Sequence, residues 1–458
     1  MNKLTLLLAV LLTMVAVVVT MANDLQLYHY PKNTPEHKGY QVKVDHQDCF
    51  VYQTPVSGIV SFATTQGELV TVVPDFDFKE VKIRPSNLNI KTKRSGNSIS
   101  FIMPVDKKIS LEFDDRIYDP LFIFSQRPVK NQEADIIYKA GVHYKIGMKR
   151  VKSNQKIWIQ GGAVLEGSFI MEGVENVHLF GHGVVDNRNL DRQQGYYGFG
   201  WFGAKNSTFE NITLIGNPRW STSYFGCKNI TANDVRIIGW RRSDDGIDIV
   251  GSEDITIKDA FVRTKDDCIA IKSSTFWYKK PAPENIDFTI PTDIGCKLTK
   301  NILIDGGVFW NADWGNAIEI GFETRADVME DITIQDANII RVEGNGGVFS
   351  IHNGDRAVVK NVLYKNIHIE EAYGYLCHFQ VLHSHYSKDT TRGSGKNILL
   401  ENIQVNQDIP LNSLITGLNK NHIYDGVHFD NLQINGKKVM NLKDGGIYTE
   451  FTENVTFQ

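Results

Sequence analysis

Asp331-Ile332-Thr333-Ile334 is one of six copies of a four-residue motif, in which Asn or Asp precedes an aliphatic residue, a variable residue and a second apolar residue. The other copies are Asn211-Ile212-Thr213-Leu214, Asp254-Ile255-Thr256-Ile257, Asn301-Ile302-Leu303-Ile304, Asn361-Val362-Leu363-Tyr364 and Asn397-Ile398-Leu399-Leu400. Successive copies are 43, 47, 30, 30 and 36 residues apart, which fits one or two coils of about 20–36 residues each. Strand-forming repeats with Asn and Gly turns and no helical periodicity are typical of a β-solenoid. We therefore predict a solenoid over residues 131–458, with the asparagines as stacked turn residues.

The segment before the repeat has a different pattern. Short runs such as Val42-Lys43-Val44, Val70-Thr71-Val72-Val73 and Ile109-Ser110-Leu111-Glu112-Phe113 alternate or are continuously apolar, and Gly, Asn, Asp and Pro separate them. Closely spaced strands without intervening helices favour an antiparallel β-sandwich. We therefore predict an all-β chain, with an N-terminal β-sandwich over residues 23–130 followed by the solenoid.

Composition and the N-terminal segment limit the class of protein. The 458 residues are 42% hydrophobic and carry a net charge of −4, which suits a globular protein and argues against a nucleic-acid partner. Lys3 precedes a long uncharged apolar run, and Thr20-Met21-Ala22 supplies small residues where a signal peptidase would cut. We expect residues 1–22 to be a signal peptide and the mature protein to be secreted or periplasmic, with no membrane partner; an uncleaved membrane anchor is the alternative.

One region departs from the repeat and carries chemistry. Asp245 follows Ser243-Asp244, and Asp266 comes 21 residues later, which is the length of one short coil, with Asp267 next to it. The spacing therefore predicts that Asp245 and Asp266 occupy equivalent positions on successive coils. Equivalent positions on successive coils of a solenoid are roughly 4.8 Å apart, so one carboxylate of such a pair would keep its proton near neutral pH. That gives an acid beside a base, as hydrolysis of a glycosidic bond requires. Adjacent Asp266 and Asp267 point to opposite faces of a regular strand, so the chain must bend there for both to act. From the spacing alone, an aspartate ladder that binds Ca²⁺ or faces solvent is an equal alternative.

The residues around these aspartates resemble glycoside hydrolase family 28, the polygalacturonases. Residues 243–248, Ser-Asp-Asp-Gly-Ile-Asp, and residues 265–273, Lys-Asp-Asp-Cys-Ile-Ala-Ile-Lys-Ser, are similar to two motifs of that family. The resemblance implies a right-handed parallel β-helix and inverting hydrolysis. It makes Asp266 the general acid, with Asp245 and Asp267 holding and activating the water.

Two further family motifs differ in this chain. Gly315-Asn316-Ala317 stands where polygalacturonases have Gly-His-Gly, and Ser350-Ile351-His352 stands for the Arg-Ile-Lys that grips the galacturonate carboxylate. The wider layout, a sandwich followed by a β-helix with three aspartates, is more similar to family 49, the dextranases and isopullulanases. We therefore expect a neutral α-glycan of the dextran or pullulan type.

Aromatic and polar residues near the aspartates are candidate sugar contacts, because aromatic faces pack against sugar rings. The candidates are Lys272, Trp277, Trp314, Asn316, Glu319, Arg325 and His352. Neither a cofactor nor a metal ion is expected.

Several alternatives remain at this stage. Arg241, Arg242, Arg263, Lys265 and Arg325 are close enough in sequence to form an anion site, which keeps polygalacturonate and sulfated glycans as possible substrates. A β-helical polysaccharide lyase and a non-catalytic glycan-binding protein are the alternatives from other classes.

Overall fold

The computed structural model describes residues 24–130, 133–191, 198–275, 290–291, 293–408 and 410–458. The predicted signal peptide, residues 1–22, and Trp277 lie outside the described residues. In the described part of the chain, no helix is long and apolar enough to cross a membrane.

The N-terminal strands form two facing sheets that enclose a core. They are β1 Gln26–Leu27, β2 Tyr40–Val44, β3 Gln47–Cys49, β4 Tyr52–Gln53, β5 Gly58–Ala63, β6 Glu68–Pro74, β7 Val81–Arg84, β8 Lys93–Ser95, β9 Ser98–Met103, β10 Lys108–Phe113 and β11 Leu121–Gln126, with a short 3₁₀ helix at Ser86–Leu88. One sheet runs β1-β5-β11-β10-β7 with β4 beside β5, and the other runs β3-β2-β6-β9-β8. The sandwich is antiparallel as predicted except for β5 and β11, which pair in parallel.

The rest of the chain forms one sheet of 30 strands, almost all of which pair in parallel. They are β12 Ile136–Tyr138, β13 His143–Arg150, β14 Lys156–Ile159, β15 Val164–Glu172, β16 His178–Phe180, β17 Val184–Asp186, β18 Phe199–Phe202, β19 Lys205–Glu210, β20 Thr213–Ile215, β21 Thr222–Phe225, β22 Lys228–Asn233, β23 Arg236–Ile238, β24 Ile247–Val250, β25 Glu253–Lys258, β26 Phe261–Thr264, β27 Ile269–Ser273, β28 Thr299–Asp305, β29 Val308–Asn311, β30 Ile318–Thr324, β31 Val328–Gln335, β32 Asn338–Val342, β33 Gly347–Asn353, β34 Val358–Ile369, β35 Tyr375–Val381, β36 Ser394–Val405, β37 Asn412–Thr416, β38 Tyr424–Ile434, β39 Lys437–Lys438, β40 Ile447–Glu450 and β41 Thr452–Phe457, with a second 3₁₀ helix at Ile294–Cys296. Strands pair with the strands one coil on, so that β24, β27 and β30 share one face, β25 and β28 a second, and β26 and β29 a third. This is a right-handed parallel β-helix, and the predicted fold class is confirmed.

Columns of aliphatic side chains fill the interior of the helix. The aliphatic residue of the motif recurs at the same register position, with Ile255 paired to Ile302, Ile302 to Ile332 and Ile332 to Val362. All four side chains are buried in one continuous core. Burying such a side chain is worth about 1.5–3 kcal/mol, so each coil is stabilised by its neighbours.

The Asn and Asp residues that open the motif form ladders at the bends, as predicted. Asn361 Nδ2 donates to Asp331 Oδ1 at 2.9 Å, and Asn397 Nδ2 donates to Asn361 Oδ1 at 2.9 Å. All three residues have a positive φ between 51° and 58°, a conformation that Asn and Asp adopt more readily than most residues. The amides therefore both make the bend and link successive coils.

The pairing of the strands corrects two of the intervals between the predicted motif copies. Asn211 does not align with Asp254; it belongs to a second bend, where its N–H donates to the carbonyl of Asn233 and the next coil contributes Asp234. The interval of 47 residues between Asp254 and Asn301 is a single coil, because β25 pairs directly with β28. That coil is long because an insertion follows β27.

The sandwich packs on the face of the β-helix that contains β26 and β29. Phe122 and Phe124 of β11 each lie 4.9 Å from Phe261, between ring centroids. Arg84 Nη1 contacts Glu370 Oε2 at 2.6 Å across the same interface. All five cysteines are unpaired.

Candidate active site

The three predicted aspartates lie in turns that enter the face of the β-helix formed by β24, β27 and β30. Asp245 lies between β23 and β24, whereas Asp266 and Asp267 lie between β26 and β27. Ile247 pairs with Ile269, and the Gly246 N–H donates to the carbonyl of Asp267 at 2.9 Å. Asp245 is therefore equivalent to Asp267, and the pairing with Asp266 predicted from the spacing is wrong by one residue.

A fourth carboxylate shapes the turn. Asp244 is fully buried and accepts hydrogen bonds from the backbone N–H groups of Arg241 at 2.6 Å, Lys265 at 2.9 Å and Asp266 at 3.2 Å. The chain bends at residues 265–266 instead of continuing as a strand. This bend removes the strand alternation that would have separated Asp266 from Asp267.

The three carboxylates consequently form one group. Asp245, Asp266 and Asp267 each offer an oxygen, and these atoms lie within 4.8 Å of one another. Burial and the charge of Asp245 raise the pKa of Asp266 to about 6. Asp266 therefore holds a proton in mildly acidic solution, while its side chain remains partly exposed to the groove.

The other two aspartates differ in their surroundings. Burial, followed by the charges of Asp266 and Asp245, also raises the pKa of Asp267. Asp267 Oδ1 accepts hydrogen bonds from both the backbone N–H and the Nδ2 of Asn316, at 2.7 and 3.0 Å. Asp245 Oδ2 lies 3.0 Å from Lys272 Nζ, so Asp245 is paired with a cation, whereas Asp267 Oδ1 accepts its hydrogen bonds from Asn316.

Lys272 is the buried cation of the site. Besides Asp245, its ammonium group contacts Asp248 Oδ1 at 2.8 Å and lies 4.0 Å from the ring centre of Trp220. Burial lowers the pKa of Lys272, but Asp245 and Asp248 outweigh it, and the net shift is well upward. Lys272 is therefore a cation in neutral solution.

A groove of about 760 Å³ opens above these residues. Besides the three aspartates and Lys272, it is lined by Arg219, Trp220, Arg242, Ser243, Trp314, Gly315, Asn316, Gly321, Phe322, Glu323 and Tyr386. Trp314 is 59% exposed. A Cβ on Gly315 would lie 2.7 Å from Asp266 Oδ1 and from Asp267 Oδ1, so a side chain there would cover the carboxylates.

The structure places the predicted sugar contacts in different surroundings. Lys272, Trp314 and Asn316 line the groove. Glu319 and His352 are buried and pair with each other, with His352 Nδ1 2.8 Å from Glu319 Oε2.

Arg325, the last predicted sugar contact, does not line the groove, and three residues that do line it were not predicted. Arg325 follows β30, and its Nε lies 3.7 Å from Asp389 Oδ1. Sequence reasoning missed Arg219, Phe322 and Tyr386. Tyr386 follows β35 and has no local signal, but its ring lies 5.7 Å from that of Phe322.

Asp245, Asp266 and Asp267 are the described residues that are close enough to share a metal ion. Lys272 already supplies a positive charge at this position, and hydrolysis by acid and base requires no ion.

Comparison with known proteins identifies the family. The sequence profile of the glycosyl hydrolases family 28 matches residues 143–445, about two thirds of the chain and all of the residues that form the groove. The chain belongs to this family. It is therefore a glycoside hydrolase that cleaves O-glycosyl bonds with inversion, and the lyase and non-catalytic alternatives are set aside. No curated protein sequence matches this family 28 member.

Solved structures support the fold of this family 28 member. Dex49A from Penicillium minioluteum is similar over 94% of this chain and 96% of its own, with a TM-score of 0.56 and 13% identity. The family 28 exopolygalacturonase from Yersinia enterocolitica is similar over 85% of this chain and 96% of its own, with a TM-score of 0.51 and 11% identity. The predicted placement among β-helical hydrolases of families 28 and 49 is confirmed.

Proposed function

We propose that this family 28 enzyme is an exported hydrolase of a neutral α-linked glycan of the dextran or pullulan type. Asp266 acts as the general acid, and Asp245 and Asp267 hold the attacking water. The substrate assignment rests on the hydrogen bonds of Ser350 and His352, which stand where polygalacturonases have the Arg and Lys that bind the galacturonate carboxylate. These two side chains make internal hydrogen bonds to Asn316 and Glu319 instead of facing the groove.

The geometry supports a single displacement. Asp266 transfers its proton to the glycosidic oxygen as the bond from that oxygen to the anomeric carbon breaks. A water molecule attacks the anomeric carbon from the opposite side and gives its proton to the Asp245–Asp267 pair. Asp245 is paired with the Lys272 ammonium group, and the raised pKa of Asp266, about 6, keeps a proton available for the leaving group.

The three carboxylates lie closer together than the two carboxylates of an ordinary inverting glycosidase. A spacing of about 5–5.5 Å between two carboxyl groups ordinarily indicates retention, and larger spacings indicate inversion. The oxygens here lie within 4.8 Å. The rule describes sites with two carboxylates, whereas in this site a pair can hold the water while the third protonates the leaving group. Inversion is therefore compatible with the short distances.

The lining of the groove favours uncharged sugar rings. A uronic acid needs a cation near the cleavage point, ideally an Arg that binds the carboxylate with two hydrogen bonds. Lys272 is occupied by Asp245 and Asp248. Trp314, Trp220, Phe322 and Tyr386 instead provide aromatic surface along the groove.

A uronic or sulfated glycan is the second candidate, and Arg219 and Arg242 favour it because both line the groove. The other cations proposed for an anion site have different partners. Arg241 donates to the carbonyl of Leu190, and Arg263 donates to the carbonyl of Gly239. Lys265 pairs with Asp313, and Arg325 is near Asp389.

The test is a panel of dextran, pullulan, polygalacturonate and sulfated algal galactan at matched mass concentration, followed by release of reducing sugar. Preferential cleavage of dextran or pullulan is expected. Preferential cleavage of polygalacturonate or the sulfated polymer would refute the neutral assignment in favour of the second candidate. The Asp266→Asn protein serves as the blank for every polymer.

Export is proposed from residues 1–22, which have the charge and apolar pattern of a signal peptide. Expression of the full chain in a bacterial host should give a product outside the cytoplasm that begins after Ala22. N-terminal sequencing measures this, and an intact Met1 on membrane-bound protein would favour the anchor.

A further inference from the structure

Asn316 continues the column of catalytic side chains into the next coil. Ile269 pairs with Ile318, and Ile318 pairs with Phe349. The same register places Asp267, Asn316 and Gly347 at equivalent positions on three successive coils. The backbone N–H and Nδ2 of Asn316 both donate to Asp267 Oδ1, at 2.7 and 3.0 Å.

The orientation of the Asn316 amide is fixed from the other side. Its Oδ1 accepts a hydrogen bond from the Gly347 N–H at 2.8 Å and another from the Ser350 hydroxyl at 2.7 Å. A backbone N–H can only donate, so the carbonyl end of the amide must face Gly347 and the NH₂ end must face Asp267. Asn316 is 4% exposed and Ser350 is fully buried.

We propose that Asn316 and Ser350 are positioning residues for Asp267, and this inference rests on the proposed role of Asp267 in holding the water. Ser350 orients the Asn316 amide, and the amide directs two N–H donors to Asp267 Oδ1. The second carboxylate oxygen, Oδ2, is thereby left for the water. A carboxylate that accepts several N–H donors is also stabilised in its ionised form.

The charged groups that face Asp267 show why such donors are needed. Asp266 lies on the same turn, Asp245 on the preceding coil and Glu319 on β30, and all three carboxylates oppose ionisation of Asp267, as does its burial. Lys272 on β27 acts in the opposite direction. The neutral amide of Asn316 adds to the effect of Lys272 without introducing a further group that titrates near neutral pH.

Asn316 and Ser350 both occupy positions at which this chain differs from the family motifs. Asn316 stands where polygalacturonases have the His of Gly-His-Gly, and Ser350 stands where they have the Arg of Arg-Ile-Lys. The hydrogen bond of 2.7 Å between them makes the two residues one unit. The position that grips a substrate carboxylate in polygalacturonases thus supports a catalytic carboxylate in this chain.

The decisive experiment compares Ser350→Ala with Ser350→Thr, which keeps the hydroxyl group. Both are measured for kcat, KM and the pH dependence of kcat/KM on the best glycan of the panel. We expect Ser350→Ala to lower kcat about tenfold with KM nearly unchanged. We also expect the low-pH limb of the kcat/KM profile, which reports the titration of the interacting aspartates, to move to higher pH. The reason is that weaker hydrogen bonds from Asn316 raise the pKa of Asp267. Ser350→Thr should restore both quantities toward the wild type.

Asn316→Ala provides a second readout through a double-mutant cycle. If the two residues act as one unit, Ser350→Ala should cost little further activity once Asn316 is Ala. Additive losses, a raised KM with unchanged kcat, or an unmoved acid limb would each overturn the inference. If Asn316→Ala does not fold, the comparison of Ser350→Ala with Ser350→Thr tests the inference by itself. Wild-type activity of Asp267→Asn would instead overturn the proposed function itself.

Discussion

Lys272 Nζ lies 3.0 Å from Asp245 Oδ2 and 2.8 Å from Asp248 Oδ1, so one buried cation serves two carboxylates of the preceding coil. The ammonium group is 4.0 Å from the ring centre of Trp220, and the Lys272 residue is only 5% exposed. A cation held in this way acts on the aspartates and has little freedom to bind an incoming sugar.

Replacement of Lys272 by Met should therefore impair catalysis more than binding. Lys272 lowers the pKa of Asp267, so without this cation that pKa should rise further. We therefore expect kcat to fall about a hundredfold or more and the acid limb of the pH profile to move to higher pH. Kinetics across pH measure both effects. Lys300→Met, which removes a surface ion pair with Glu330, is the matched control and should retain activity. A Lys272→Met enzyme with normal kcat and raised KM would instead make Lys272 a sugar contact.

The pH dependence of the wild-type enzyme follows from Asp266. A general acid must be protonated, and the pKa of Asp266 is raised to about 6 by burial and by Asp245. The rate should therefore fall as the pH rises through about 6, and it should fall again at low pH as Asp267 takes up a proton. A plot of kcat/KM against pH tests this. A constant rate from about pH 5 to 8 would contradict the assigned role of Asp266.

Stereochemistry tests the single displacement. For an α-linked substrate, the first product should carry the β configuration at its new reducing end, because water attacks opposite to the departing oxygen. Proton NMR during the first minutes of hydrolysis, before mutarotation, distinguishes the two anomers. An α product would require a covalent intermediate on one of the aspartates.

The solenoid makes a prediction about stability that is independent of function. Ile302 is buried in the interior column, whereas its neighbour Leu303 points outward and is half-buried. Ile302→Ala should lower the free energy of unfolding by about 2–5 kcal/mol, and Leu303→Ala by less than about 1 kcal/mol. Urea denaturation measures both. Equal losses would contradict the assignment of the two faces of β28.

The repeat could be predicted from sequence because bends and interior columns are local patterns. Asn361 and Asn397 open the motif and also form the ladder at the bend. The register of the aspartates is harder to predict, because coil lengths vary and no sequence motif marks the bend that Asp244 stabilises. A shift of one residue was enough to pair Asp245 with Asp266 instead of Asp267.

Other parts of the site depend on contacts between distant segments. Tyr386 reaches the groove from the loop after β35 and approaches Phe322, which is 64 residues earlier in the chain. The hydrogen bond between Ser350 and Asn316 also links two successive coils. Such contacts are set by the stacking of coils, so residue type and local spacing do not reveal them.

Hydrolysis by the three Asp→Asn variants tests the central claim most directly. Asp266→Asn, Asp245→Asn and Asp267→Asn should each lower kcat by about 10²–10⁴-fold while leaving the fold intact, because each removes a proton donor or a water-holding carboxylate and changes little volume. Asp331→Asn is the matched control, since Asp331 belongs to the bend ladder that elsewhere uses Asn, and it should keep wild-type activity. Reducing-sugar release from the best glycan of the panel is the measurement. Wild-type rates in any of the three site variants would contradict the account.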